Sequence, residues 1–356
     1  MLLKQIIKNI FFSLITIFLF FEVVLFFCPV REPTNTIKQT TTSILKLEPN
    51  RVFQFSKGEL FQIRTIKKTN NYGYTSNFDY KINEADILVI GDSFVEAMDV
   101  NNNEAFHHIL KKKLNLNIYQ LSHSSSNLSQ YYKFAEFGVK NFKPKLIIYN
   151  IVANDYVNHQ VGKYNFDLKN GNIFLKESKY TEKKLIHKIL LKSRTVRYLY
   201  YNLQPHHKIN YLFKNKNKKF EANIACEYTD KELENNKKTF DLFLKYNQKF
   251  VAEGIDIVIM FDEIRSKVYK TNINSCGFND QESGLASKIK DYSVKKQKNE
   301  GIYTLDLGPY FKKAYKKDKM KFEFVNDLHW NKYAHKIVAL SVVDFLKKNL
   351  QYRPID

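Results

Sequence analysis

Cysteine is scarce: the 356 residues carry three, Cys28, Cys226 and Cys276. None has the close spacing of a zinc or redox site, so the sequence gives no sign of either. Cys226 and Cys276 are expected to pair only if the compartment is oxidising. Glycine and proline are few as well, 11 and 7, which argues against disorder. Acidic residues are short in supply, 36 against 57 Lys and Arg, leaving a formal charge of +21. The lysines are spread over nearly every segment and no nucleic-acid motif accompanies them, so nucleic acid is not the expected partner. An anionic envelope surface or polymer fits that charge better. A general habit of Lys, Asn, Ile and Phe usage explains it with no partner at all.

Long apolar runs are missing too, with one exception. Residues Ile10 to Val30 are apolar except for Ser13, Thr16 and Glu22. At about 1.5 Å per residue such a helix spans roughly 30 Å, the thickness of a bilayer core. Lys4 and Lys8 precede the run, and no Ala-x-Ala site comes after it. The run therefore predicts an uncleaved signal anchor, with the amino terminus inside and the remainder outside the cytoplasm. Cys28 comes after Phe26-Phe27, which lacks the small residues of a lipoprotein site. Glu22 reads as a protonated or interface-seeking carboxyl in a single-span anchor.

Beyond this run the chain divides into a polar stem over 31–60 and a globular body over 61–356. Hydrophobic content of 44% with 15% aromatics supplies a sizeable core. Ile87 to Ile90 is a continuous apolar run that predicts a strand buried on both faces. A helix over 104–114, a strand over 117–121, a helix over 129–142 and a strand over 145–152 continue the alternation. Repeated β-α-β units imply a mostly parallel sheet. Residues 156–228 interrupt it as an insertion: a small hairpin around Asn170-Gly171, an amphipathic helix over 181–203, and a basic loop. His206-His207 in that loop reads as a surface pair. Thr229 and Glu232 form a capping box for a helix to about Glu253, which Gly254 stops. A strand over 255–261, a helix over 283–299, a strand over 302–307 and a closing helix over 331–350 complete the body.

Three stretches lie where loops leave the sheet at the carboxyl ends of its strands, the edge at which open α/β sheets bind ligands. The first is Gly91-Asp92-Ser93-Phe94, the second Asn154-Asp155, the third Asp327-Leu328-His329-Trp330-Asn331. A serine nucleophile needs a base, and the base needs a group to orient it. His329 can serve as the base. Asp327 stands two residues before it, on the same side of an extended chain; Asn326 is an amide and supplies no charge. Asn154 offers a side-chain N–H to a developing oxyanion, and the backbone N–H groups of Ser93 and Ser122 can complete such a hole. His123 lies near enough in sequence to touch a substrate, whereas Trp330 and Tyr156 read as packing residues.

On these blocks the chain resembles the SGNH (GDSL-like) hydrolase superfamily, from about Asn70 to Leu350. The resemblance implies a flavodoxin-like three-layer α/β/α sandwich, here preceded by one transmembrane helix. It implies Ser93 as nucleophile, His329 as base, Asp327 as its orienter, and an oxyanion hole of Ser93, Ser122 and Asn154. It implies no cofactor and no metal. Departures are visible: Ser122 takes the place of a glycine, Val152-Ala153 replace a glycine before Asn154, and the aspartate precedes the histidine by two residues. The expected activity is hydrolysis of an acyl ester on an envelope glycan, lipid or small molecule. The alternatives are O-acyl transfer to a cell-surface polysaccharide by the same triad, and an inactive membrane-tethered binding module.

Overall fold

The computed structural model describes residues 2–34, 36–38, 44–152, 154–156, 164–175, 189–205, 229–263, 265–269, 285–297, 302–325 and 327–350. Helix α1 (Leu2–Phe26) is long and apolar enough to cross a membrane, and Leu25 alone among its residues is buried. Two short strands come next, β1 (Thr36–Lys38) and β2 (Leu45–Leu47), paired antiparallel. Strands β3 (Val52–Lys57) and β4 (Ile63–Lys68) form a second antiparallel pair. Phe53 and Phe55 alternate inward on β3 and are buried with Leu47, Ile63 and Met98. The segment read as a stem is thus packed on the body from about Ile44 onward. Its period-2 pattern is only a few residues long, too short to stand out beside the polar residues around it.

The central sheet begins with β5 (Ile87–Gly91). Gly91 leads through Asp92 into the single turn α2 (Ser93–Glu96), and α3 (Phe106–Leu114) comes after it. Then come β6 (Ile118–Ser122), α4 (Leu128–Phe142) and β7 (Leu146–Ile151). The insertion opens with a hairpin, β8 (Tyr164–Phe166) and β9 (Ile173–Leu175), whose turn holds Gly171 at φ 75°, a conformation glycine adopts without strain. Residues 189–205 do not carry the long helix expected over 181–203. Ser193 accepts a hydrogen bond from the Val196 N–H and starts a new helix there, α5 (Arg194–Arg197), which runs into a π-helical turn over Tyr198–Leu203. Residues 181–188, His206-His207, Cys226 and Cys276 lie outside the described residues.

The regular alternation resumes with α6 (Asp230–Ala252), entered through the Thr229/Glu232 capping box, and β10 (Asp256–Phe261). Helices α7 (Arg265–Tyr269) and α8 (Leu285–Gln297) precede β11 (Tyr303–Asp306), and α9 (Gly308–Asp318) succeeds it. A last pair, β12 (Glu323–Phe324) and β13 (Asp327–Trp330), leads to α10 (Lys332–Asn349). The sheet order is β11-β10-β7-β5-β6, all pairs parallel.

Every residue of β5, β6 and β7 is buried, as expected of parallel strands covered on both faces. Side chains alternate between the two sides. Leu88 and Ile90 join Phe134 of α4 and Phe243 of α6 in one cluster. Ile87 and Val89 join Leu110 of α3, Phe311 of α9 and Val338 of α10 in the other. These are the three layers of an α/β/α sandwich. Helix α4 lies so close to the sheet that a Cβ on Gly138 would sit 2.3 Å from Leu88 Cδ1.

The candidate active site

β5 delivers Ser93 to the carboxyl edge of the sheet through a tight strand-to-helix turn. The Asp92 side chain accepts the Phe94 N–H at 3.0 Å and caps α2, so Ser93 is the first helical residue. Gly91 at the strand end is packed closely, because a Cβ there would lie 2.3 Å from Val95 Cγ2. Burial pushes the Asp92 carboxyl up, although the Phe94 N–H favours its charged form.

The opposite wall is β13. Asn331 caps α10 by accepting the Ala334 N–H, and its amide donates to the carbonyls of Lys321 and Glu323, which braces the β12–β13 turn. Trp330 is buried against Phe94 and Phe106 and fixes the strand end. His329 therefore faces Ser93, with Nε2 2.8 Å from the Ser93 hydroxyl, which also lies 3.2 Å from Asp92 Oδ2. On the other side of the ring, Nδ1 donates to Asp327 Oδ1, which also accepts the His329 backbone N–H at 2.9 Å. The two-residue spacing thus places one carboxylate oxygen against both groups.

Two further residues complete the cluster. Lys57 Nζ at the end of β3 lies 2.6 Å from Asp327 Oδ2 and 2.9 Å from Asp99 Oδ1. Asp99 Oδ2 is itself 3.5 Å from His329 Nδ1. Asp99, Asp327 and His329 bring ligand-type atoms within 4.8 Å of one another, but the Lys57 ammonium already bridges the two carboxylates and supplies their counter-charge. Burial opposes a charged His329, yet the Asp327 hydrogen bond and the Asp99 charge outweigh it and raise its pKa above the ordinary value. Burial likewise opposes a charged Asp327, and the hydrogen bond and charge of His329, with Lys57 behind them, hold its carboxyl well below the usual range.

The structure brings Ser93, His329 and Asp327 together. It places Ser122 at the last position of β6, opposite Gly91, with its hydroxyl turned to Gln120. Asn154 lies in the turn after β7, the strand on the other side of β5. Both stand at the edge that carries Ser93, but neither is in the wall of the adjoining cleft of about 330 Å³. From the loop after β6 it is His123, Ser124 and Ser125 that line this cleft, with Ser93, His329, Glu96, Asp99, Lys57 and Arg31. Glu96 fixes that loop by accepting the N–H and hydroxyl of Ser124.

Sequence reasoning missed Lys57, Asp99 and Arg31. Lys57 and Asp327 are 270 residues apart, and no local pattern links them. Asp99 comes six residues after Ser93 in a stretch with no motif, and its loop is positioned by the β4 side. Thr65 donates to the Met98 carbonyl at 2.8 Å, and the buried ammonium of Lys67 donates to the carbonyls of Ala97 and Val100 at 2.8 and 2.9 Å.

A family model described as GDSL-like Lipase/Acylhydrolase matches residues 87–342. No curated protein matches the chain. Among solved structures, the chain is similar to a member of the lipolytic protein G-D-S-L family from Veillonella parvula DSM 2008, at 10% identity and a TM-score of 0.38, over 74% of this chain and 98% of that one. It is also similar to the psychrotrophic esterase EstA from Pseudoalteromonas sp., at 11% identity and a TM-score of 0.40, over 74% and 98%. A third is the acetyl xylan esterase Est2A from the rumen bacterium Butyrivibrio proteoclasticus, at 10% identity and a TM-score of 0.37, over 80% and 68%.

Proposed function

The chain belongs to the GDSL-like lipase/acylhydrolase family, and on that basis we propose that it is a membrane-anchored serine esterase working through Ser93, His329 and Asp327. The observation that carries this reading is the continuous hydrogen-bonded line from the Ser93 hydroxyl through both ring nitrogens of His329 to Asp327. Asp327 accepts from Nδ1, which leaves Nε2 as the acceptor facing the serine. Ser93 Oγ bonds to the ester carbonyl carbon while its proton passes to Nε2. The C–O bond to the alcohol then breaks, and the alcohol leaves with that proton. Water, activated in turn by His329, attacks the acyl-serine, releases the acid and restores the serine.

The backbone N–H of Ser93 and the Asn154 amide are the donors proposed for the oxyanion, with the Ser122 N–H as a third. Support for them is their place on the strand ends beside β5. The apolar helix α1 supports a site held at a membrane, with the body on the extracytoplasmic side, where envelope glycans and lipids carry acyl esters.

The test is hydrolysis of small acetyl esters and acetylated glycans by the full chain. Ser93→Ala and His329→Ala are each expected to lower kcat by roughly 10⁴-fold or more, and the double variant to be little worse, because the pair acts as one unit. Asn154→Ala is expected to cost about 10²–10³ in kcat. A serine-directed phosphonate should label Ser93. If Ser93→Ala keeps more than about a tenth of the wild-type rate, where a lost nucleophile predicts orders of magnitude, another residue is the nucleophile.

A further inference from the structure

Arg31 stands five residues beyond the end of α1 and lines the same cleft as Ser93. Its guanidinium lies over the Phe55 ring at 4.4 Å and over the Tyr201 ring at 5.0 Å. Those two faces fix its orientation, but neither accepts an in-plane N–H. Its Nε is buried without a hydrogen-bond partner, and no ion pair reaches the group among the described residues. The acids nearest in the cleft make their short contacts elsewhere, Glu96 to Ser124 and Asp99 to Lys57, and act on Arg31 only through their charge. A guanidinium carries five donors and stays charged at neutral pH. Leaving the Nε–H buried without an acceptor is costly unless a ligand supplies one. Lys57, the other cation of the cleft, bridges two carboxylates at short range, whereas Arg31 feels Asp99 and Glu96 only as charges at longer range, with no ion pair.

We propose that Arg31 is the binding group for a carboxylate or phosphate carried by the substrate, so that this site acts on anionic esters. The proposal rests on Ser93 being the nucleophile in the same cleft. The aromatic clamp spends little side-chain freedom on binding, and the planar fork of Arg31 meets two oxygens of one anionic group together. The anion can belong to a lipid headgroup or to a soluble acylated acid. Both present the same two-oxygen face to the guanidinium.

The experiment uses the full chain in detergent micelles and a matched pair of aryl acetates, 4-acetoxybenzoate and the neutral 4-acetoxybenzamide. Wild-type kcat/KM is expected to favour the benzoate. Arg31→Gln is expected to raise KM for the benzoate by about tenfold or more, the loss of a charge-assisted pair. The benzamide should change less than about twofold, since it forms no such pair. Arg31→Lys, which keeps the charge and loses the fork, should fall between. An equal effect on both substrates, or no wild-type preference for the benzoate, overturns the proposal.

Binding of 4-hydroxybenzoate and inorganic phosphate to Ser93→Ala, measured by calorimetry, separates this proposal from the catalytic one. Anion binding that Arg31→Gln abolishes supports the Arg31 site even if no ester is turned over, and absence of anion binding overturns it. Competition by phosphatidylglycerol vesicles but not phosphatidylcholine vesicles assigns the anion to a lipid headgroup. Competition by free phosphate alone assigns it to a soluble acid.

Discussion

His329 works between two carboxylates and one ammonium, and that balance sets its titration. In the proposed reaction the neutral imidazole is the base, so kcat/KM should rise with pH through a midpoint above the ordinary histidine value. Asp99 favours the imidazolium and Lys57 opposes it. Asp99→Asn should therefore move the midpoint down, and Lys57→Met should move it up. A pH–rate profile of each variant checks the sign. A structural role alone would lower the rate at every pH and leave the midpoint in place. Asp327→Asn should be the most severe of the three, because its amide can hold the wrong tautomer of the ring.

The turn from β5 into α2 works as a unit with the β3–β4 hairpin laid beside it. Gly91→Ala would press a methyl group into Val95, and about 1–3 kcal/mol of stability should be lost, as overpacking commonly costs. A lower Tm with a matching fall in kcat would show that Ser93 moves with the turn; an unchanged Tm would show that the turn yields freely.

Lys67 on β4 ties down the loop that carries Asp99, and burial pushes its pKa down to about 7. An unfolded chain would keep that proton up to about 10.5. Between these values the unfolded state binds more protons than the folded one, so this residue makes the fold more stable as pH rises. Lys67→Met should remove that part of the slope of Tm against pH, measured from about pH 7 to 10 against wild type. An identical slope in both proteins would mean that Lys67 is not titrating in that window.

Helix α1 and the body meet at defined atoms. The Glu22 carboxylate accepts the Arg194 and Thr195 N–H groups at 3.1 and 2.9 Å and the Ser193 hydroxyl, and so caps the start of α5. The Arg194 guanidinium lies over Phe26 at 4.9 Å. A carboxyl inside the apolar run thus holds the body against the helix. If the helix is retained as an anchor, protein recovered from membranes should keep residues 2–30 by intact mass. Glu22→Ala should leave the chain in the membrane fraction and speed proteolysis near Ser193, since a capping interaction of about 1 kcal/mol is lost. A reporter fused after Asp356 should be active only outside the cytoplasm.

Much of this protein was legible in local patterns. The run Ile87–Ile90 with a glycine at its end announces a buried strand and its stop, because burial on both faces leaves no polar position. Asp327 and His329 are two apart on an extended strand, so their contact is nearly intrinsic to the chain. The capping box at Thr229 and Glu232 is equally local. The long apolar helix and the alternation of strand and helix determined the class of fold in the same way.

Other features arise from pairings between distant segments, which no short pattern encodes. Lys57 meets Asp327 because the β3–β4 hairpin folds over the sheet edge, and a lysine in a polar stretch looks the same whether or not it does so. Asp99 reaches His329 because Thr65 and Lys67 hold its loop from another strand. Arg31 enters the cleft only when the end of the apolar helix, β3 and the π-helical turn close around it. Electrostatic contacts carry no periodicity, so their partners are chosen by where the backbone brings charges within a few ångströms, and that is settled by packing of the whole chain.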